Sequence, residues 1–173
     1  MPIISLSSPY LSYIGLTSLD GTTGRITRFP EANIDTMMRE MSRMVGEGVR
    51  DPTVQRLALE ATAASKEPIS AVFNFVQSNF PYKPDPEDSE LFIHPRRMAQ
   101  DYFAGNKRGG DCDDHAMWIA AILGSLGYKV RIKIVDSSGD WDHAFAQVLT
   151  ERGWFSVDTT DKNRPLGWIR EFR

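Results

Sequence analysis

Three residues of this 173-residue chain have side chains and spacing suited to nucleophilic acyl transfer: Cys112, His143 and Asp158. A cysteine attacks carbonyls as its thiolate, and it needs a base to lose its proton and an acid to help the amine leave. Cys112 directly follows Gly109-Gly110-Asp111 and stands at the start of a strongly apolar segment. If that segment is a helix, Cys112 meets its unpaired N–H groups and the positive end of its dipole. Both favour thiolate, and the same N–H groups can receive an oxyanion. Asp111, Asp113 and Asp114 act against this, since three carboxylates beside a thiol disfavour its ionisation. Pointing away and capping the first turn is the expected way for them to avoid that conflict.

His143 opens one strand candidate and Asp158 ends the next, with Thr150-Glu151-Arg152-Gly153 between them. A turn centred between Thr150 and Glu151 pairs His143 with Asp158 directly. A turn centred between Glu151 and Arg152 makes them diagonal neighbours on one face, and an odd loop puts them on opposite faces. In either even register Asp158 can accept from one imidazole nitrogen while the other faces the thiol, the order of parts in a nucleophile–base–orienter triad.

The elements that must position these groups can be read along the chain. Residues 31–50 predict a helix with Met37, Met41 and Met44 on one stripe, ended by Gly46 and Gly48. Such a stripe packs a core or offers an adaptable partner surface. Asp51-Pro52 starts a second helix, to about Ala64. Glu67-Pro68 opens a third, with Ile69, Val72, Phe73, Val76 and Phe80 on one side. Residues 81–94 read as loop, Pro95 to about Ala104 as a short helix, and Lys107–Gly110 as a flexible connection. Asp111 or Cys112 begins the central helix, apolar on nearly all faces from Ala116 to Leu123, which Gly127 closes. Val130–Val135, His143–Leu149 and Trp154–Asp158 are strands, and 165–168 a closing loop. Residues 1–30 differ, being rich in Ser, Thr and Gly, and read as a β arm or hairpin that packs on the body or docks on a neighbouring chain.

Gly110-Asp111-Cys112-Asp113-Asp114-His115-Ala116, Leu126-Gly127-Tyr128-Lys129-Val130-Arg131, His143-Ala144-Phe145-Ala146-Gln147-Val148 and Gly153-Trp154-Phe155-Ser156-Val157-Asp158-Thr159-Thr160, in this order, resemble the transglutaminase-like cysteine domain. The resemblance covers roughly residues 68–160 and is greatest to small transglutaminase-like proteins of tailed phages and prophages. It implies an α+β, papain-like fold: N-terminal helices and a buried nucleophile helix packed on an antiparallel sheet, spanning 31–173. It implies Cys112, His143 and Asp158 as the triad. Some members cross-link Gln to Lys, some cleave peptides or amides, and some have lost the cysteine and only bind. With all three positions filled, the expectation is a cysteine peptidase or amidase acting on a peptide or protein. The alternatives are a cross-linking enzyme and a structural phage-particle protein that uses residues 1–30 for homo-oligomer or particle contacts. Tyr82 and Tyr102 are the candidates for an oxyanion-binding side chain.

The remaining signals are weak. A net charge of -3 without basic clusters gives no reason to expect nucleic acid. His115 forms a Cys-x-x-His pair with Cys112, but the chain holds no second such pair to complete a zinc site. Asp136, Asp140 and Asp142 do not have EF-hand spacing, so no metal or cofactor is expected. His94 reads as structural, and Trp141 as packing or a groove wall. One cysteine, no signal-peptide pattern at the start and no long apolar run suggest the cytoplasm, or a virion, and no membrane.

Overall fold

The computed structural model describes residues 26–28, 34–86, 90–136 and 141–168. Most of the expected arm, residues 1–25, lies outside the described residues, as do 29–33, 87–89, 137–140 and 169–173. The elements run β1 (Ile26–Arg28), α1 (Ile34–Val49), α2 (Pro52–Thr62), α3 (Pro68–Asn79), β2 (Leu91–Ile93), α4 (Pro95–Phe103), α5 (Cys112–Ser125), β3 (Val130–Asp136), β4 (Trp141–Thr150) and β5 (Gly153–Val157). β3, β4 and β5 form an antiparallel sheet with β4 central, and β1 pairs with β2 in a small second one. The result is the expected α+β layout of helices and an antiparallel sheet.

Local chemistry accounts for the helix starts. Asp51 accepts from the N–H groups of Thr53 and Val54 at 2.9 and 3.3 Å, with Pro52 in the first helical position. Pro68 and Pro95 open α3 and α4 in the same way. At α4 the cap is His94, whose Nδ1 accepts from Arg96 N–H while Nε2 meets Glu47. α5 closes in a Schellman turn: Gly127 N–H donates to Gly124 and Tyr128 N–H to Leu123, with Gly127 at φ 91°.

α5 is the centre of the molecule. Ala116 to Leu123 are all buried, and α1, α2, α3 and the β3–β4 face pack around them. Met37, Met41 and Met44 are buried with Phe92, Met117 and Ala144, so the methionine stripe is core and not a partner surface. Three expectations need correction. Gly48 does not end α1. It lies within the last turn, where a Cβ would come within 2.8 Å of Pro95 and 3.0 Å of Ala121, so its bareness lets α1 approach α4 and α5. Residues 81–94 are not all loop, because Leu91–Ile93 form β2. The connection before α5 is not loose either: Gly110 bridges Tyr82 in parallel, with Lys83 N–H donating to Gly110 and Gly110 N–H to Pro81.

Candidate active site

Cys112 is the first residue of α5, half-buried, and packs against the apolar cluster that contains Ala144, the neighbour of His143 on β4. Asp111 is the N-cap; its carboxylate accepts from Asp113 N–H at 3.2 Å. The two glycines upstream are closely packed. A Cβ on Gly109 would come within 2.6 Å of the Pro81 carbonyl, and one on Gly110 within 2.5 Å of Asp114 and 2.7 Å of Trp118. Their bareness lets the Pro81–Lys83 segment and α5 close on each other.

The hairpin settles the register. Thr150 pairs with Gly153 and Ala146 with Val157, so the turn is centred between Glu151 and Arg152. Continuing that ladder sets Asp158, one residue beyond β5, opposite Phe145, which makes His143 its diagonal neighbour on the same face. His143 Nε2 lies 2.6 Å from Asp158 Oδ2, and the two residues are only 6% and 8% exposed. Asp158 Oδ1 is occupied separately, accepting from Thr160 N–H at 3.0 Å and from the Thr160 hydroxyl at 2.7 Å. Burial pushes the Asp158 carboxyl up, but the His143 imidazole and the Thr160 donors outweigh it and hold it below the ordinary carboxylate value. Phe145 stacks on His143 with ring centroids 5.9 Å apart. This arrangement fixes the imidazole's plane and commits Nε2.

His115 has a part that the sequence does not announce. It is buried one helical turn after Cys112, and its Nδ1 lies 2.7 Å from Thr159 Oγ1. Burial pushes its pKa down to about 4, so the ring is neutral near pH 7. The contact ties the helix that carries Cys112 to the segment that carries Asp158. In the Cys-x-x-His pair, His115 therefore serves as a tertiary clamp through Nδ1. The only hint in the sequence is a histidine in a helix otherwise apolar from Ala116 onward.

Of the two tyrosines, only Tyr82 sits here. It is exposed, bridges Gly110, and its ring centre lies 6.3 Å from that of His115. Burial of part of the ring and the neighbouring Cys112 and Asp111 charges hold its hydroxyl above the usual value. Tyr102 instead donates to Glu60 on α2 at 2.7 Å and packs on Phe75, Phe80 and Phe103, so it takes no part in the site. The side chains of Trp141, Asp136 and Asp142, and all of Asp140, lie outside the described residues.

The acids around Cys112 do not point into solvent. Asp113 and Asp114 are 1% and 0% exposed. Asp114 Oδ1 accepts from Ile93 N–H at 2.6 Å, which ties β2 to α5, while its Oδ2 and both oxygens of Asp113 are buried with no hydrogen-bond partner. Burial, with the Asp111 carboxylate alongside, pushes both carboxyls well above the ordinary value, and Glu90 is raised by burial and by Asp111.

A cysteine at the head of a buried helix, packed on an antiparallel sheet that carries a His–Asp pair, defines a class of α+β fold built around a helix-borne thiol. The family model of the transglutaminase-like superfamily matches residues 52–159, more than half of the chain, and the chain belongs to that superfamily. No curated protein matches it. Among solved structures, a candidate cysteine protease from Cytophaga hutchinsonii is similar over 75% of this chain and 43% of its own, at 14% identity and a TM-score of 0.50. The periplasmic domain of TgpA from Pseudomonas aeruginosa is 23% identical over 71% of this chain and 50% of its own, with a TM-score of 0.45. The chain thus spans about half of these neighbours or less, and the Cytophaga likeness is one of fold.

Proposed function

We propose that this protein is a thiol-dependent acyl-transfer enzyme that hydrolyses a peptide or side-chain amide, with Cys112 as nucleophile, His143 as base and acid, and Asp158 as orienter. The observation that carries the reading is the buried His143 Nε2···Asp158 Oδ2 contact of 2.6 Å. It fixes the imidazole by one nitrogen and leaves Nδ1 to receive the Cys112 proton. The thiolate then attacks the amide carbonyl, forming the C–S bond, and the negative oxygen is received by N–H groups at the start of α5. Tyr82 is the side chain placed to assist there. Collapse of the tetrahedral species breaks the C–N bond, and His143 returns its proton to the leaving amine. A water deprotonated by His143 attacks the thioester, releasing the carboxylic acid and restoring the thiol.

Hydrolysis is favoured over transfer to an amine because Cys112 is half-buried, not sealed, so water competes for the thioester. The similarity to phage proteins belongs to the same proposal, with a phage particle as the place of action. The test is mass spectrometry of the full chain with a mixed peptide library, with and without a biotinylated primary amine. Acyl adducts on Cys112 and shortened or deamidated products support the reading. Products that carry the biotinylated amine in preference to water replace hydrolysis with cross-linking. Absence of any adduct and product overturns the enzyme assignment.

A further inference from the structure

The face of the sheet that carries His143 and Asp158 holds a second feature that the proposed chemistry leaves unused. Side chains alternate along a strand, so the register puts Arg131 and Lys133 of β3, Phe145 and Gln147 of β4, and Trp154 and Ser156 of β5 on this same face. Arg131 is exposed but does not extend outward from its edge strand. Its side chain turns back across β4. Nε donates to Gln147 Oε1 at 2.8 Å, and the guanidinium carbon lies 4.1 Å from the centre of the Trp154 ring. Gln147 is held in turn by Nε2, which donates to Ser156 Oγ at 3.1 Å, and these two residues are only 6% and 2% exposed. A buried network across the sheet thus fixes one exposed guanidinium. Among the described residues, its terminal NH2 groups meet no acceptor. Asp158 is the one carboxylate on this face among the described residues, and His143 and Thr160 already engage it.

We propose that Arg131, held on Trp154 and by Gln147, is a carboxylate subsite, and that the substrate is a peptide with Asp or Glu some four residues from the amide that reacts. The inference rests on the enzyme reading and names a substrate class for it. Distance sets the position. Gln147 follows His143 by four residues on β4, a span of about 13 Å that an extended peptide covers with the same number. Geometry sets the chemistry. A guanidinium presents its N–H groups as a planar fork that matches the two oxygens of a carboxylate. The Trp154 ring against it holds that plane, so little side-chain freedom is left to lose on binding. Lys133 pairs with Phe145, between Gln147 and His143 in the register, and adds a second positive charge along the path. Cations on an edge strand also serve to discourage pairing with another sheet. A charge with that task projects past the edge, whereas Arg131 is drawn the other way, over β4 to β5, and buried groups hold it there.

The test reads binding and turnover separately. Fluorescein-labelled peptide pools, acetylated and amidated, are randomised except for Glu or Gln fixed at one position in turn. Anisotropy with the full chain gives the apparent Kd, and mass spectrometry gives products and adducts on Cys112. At the favoured position the Glu pool is expected to bind roughly tenfold more tightly than the Gln pool, with the difference shrinking as salt is raised. In the products, that Glu lies about four residues from the amide that reacted. Arg131→Gln removes the preference. Arg131→Lys keeps part of it, because an ammonium retains the charge without the fork. Lys133→Gln lowers it by less than Arg131→Gln does. Equal binding of the Glu and Gln pools at every position by the wild type, a result that depends on no variant's folding, overturns the proposal. A Glu preference that survives Arg131→Gln overturns it as well, by placing the carboxylate elsewhere. Glu preference without products or adducts supports the subsite and removes the enzyme reading. Products without Glu preference do the reverse.

Discussion

The two halves of the site are built to opposite standards. On the sheet side, every polar atom of the Asp158 carboxylate has a partner: His143 on one oxygen and the two Thr160 donors on the other. On the helix side, Asp113 has none and Asp114 has one. Burial is similar in the two places, yet its consequences differ in sign. Asp158 is held ionised because its surroundings supply donors. Asp113 and Asp114 are pushed toward the neutral form because theirs supply other carboxylates. The lesson is that burial does not decide the state of a carboxyl; the first donors it meets do. The sheet half finds its donors within the protein, and the helix half leaves three buried carboxylate oxygens without one.

The largest expected effects come from removing the proposed nucleophile and from breaking the sheet half proposed to serve it. Cys112→Ala should abolish turnover of any substrate found by the peptide screen, with a loss of about 10⁴-fold or more in kcat. Asp158→Asn keeps the shape but reverses the donor–acceptor relation to His143. The expected loss is roughly 10²–10⁴-fold in kcat with KM little changed, checked by steady-state kinetics. An equal loss of stability without a change in kcat would make the pair structural.

Next in size are the pH effects, and they separate the two halves. His115 has a folded pKa of about 4 against an ordinary 6.5. Its contribution to stability is therefore full above pH 6.5 and is lost as pH falls toward 4, by roughly 3 kcal/mol at 1.36 kcal/mol per unit. Urea unfolding from pH 7 to 4 should show this decline, and His115→Gln should flatten it. Asp113 runs the other way. Its raised pKa means a contribution present below the ordinary carboxylate value and lost as pH rises through the folded one. At pH 7, Asp113→Asn should accordingly stabilise the protein, by about 1–3 kcal/mol, read by the same urea unfolding. The smallest effect is that of Thr160→Ala, which removes one of the two Thr160 donors to Asp158. A loss of about 1 kcal/mol, read as several-fold in kcat, is expected.

Much of this was legible in the sequence because it rests on local rules. Proline in the first turn, Asp51 as a cap, Gly127 after the last turn and the apolar run of α5 each have a physical reason confined to a few residues. The His143–Asp158 hairpin was legible up to one choice. A shift of the turn centre by one position leaves both residues on one face, and nothing in Thr150–Gly153 discriminates between the two centres. What was hidden depends on distant partners. Leu91–Ile93 is too short a strand to show alternation, and it exists because Arg28 to Ile26 pair with it and Asp114 receives Ile93 N–H. First-turn acids ordinarily face solvent, so the inward turn of Asp113 and Asp114 could not be read from their position. Tyr102 is drawn away from the site by Glu60, Phe75 and Phe80, all distant from it along the chain. Gly110 looks like a hinge until its contacts with Pro81 and Asp114 are seen.

The account stands most directly on the pairing of Cys112 with His143. Alkylation of the single cysteine by iodoacetamide, followed across pH in the wild type and in His143→Ala, reads that pairing without any substrate. Reaction with a midpoint well below the about 8.5 of an ordinary thiol, moved back toward that value by His143→Ala, is the predicted result. Slow reaction in both proteins, with the thiol reached only on unfolding, would contradict the account and leave the fold without the chemistry assigned to it.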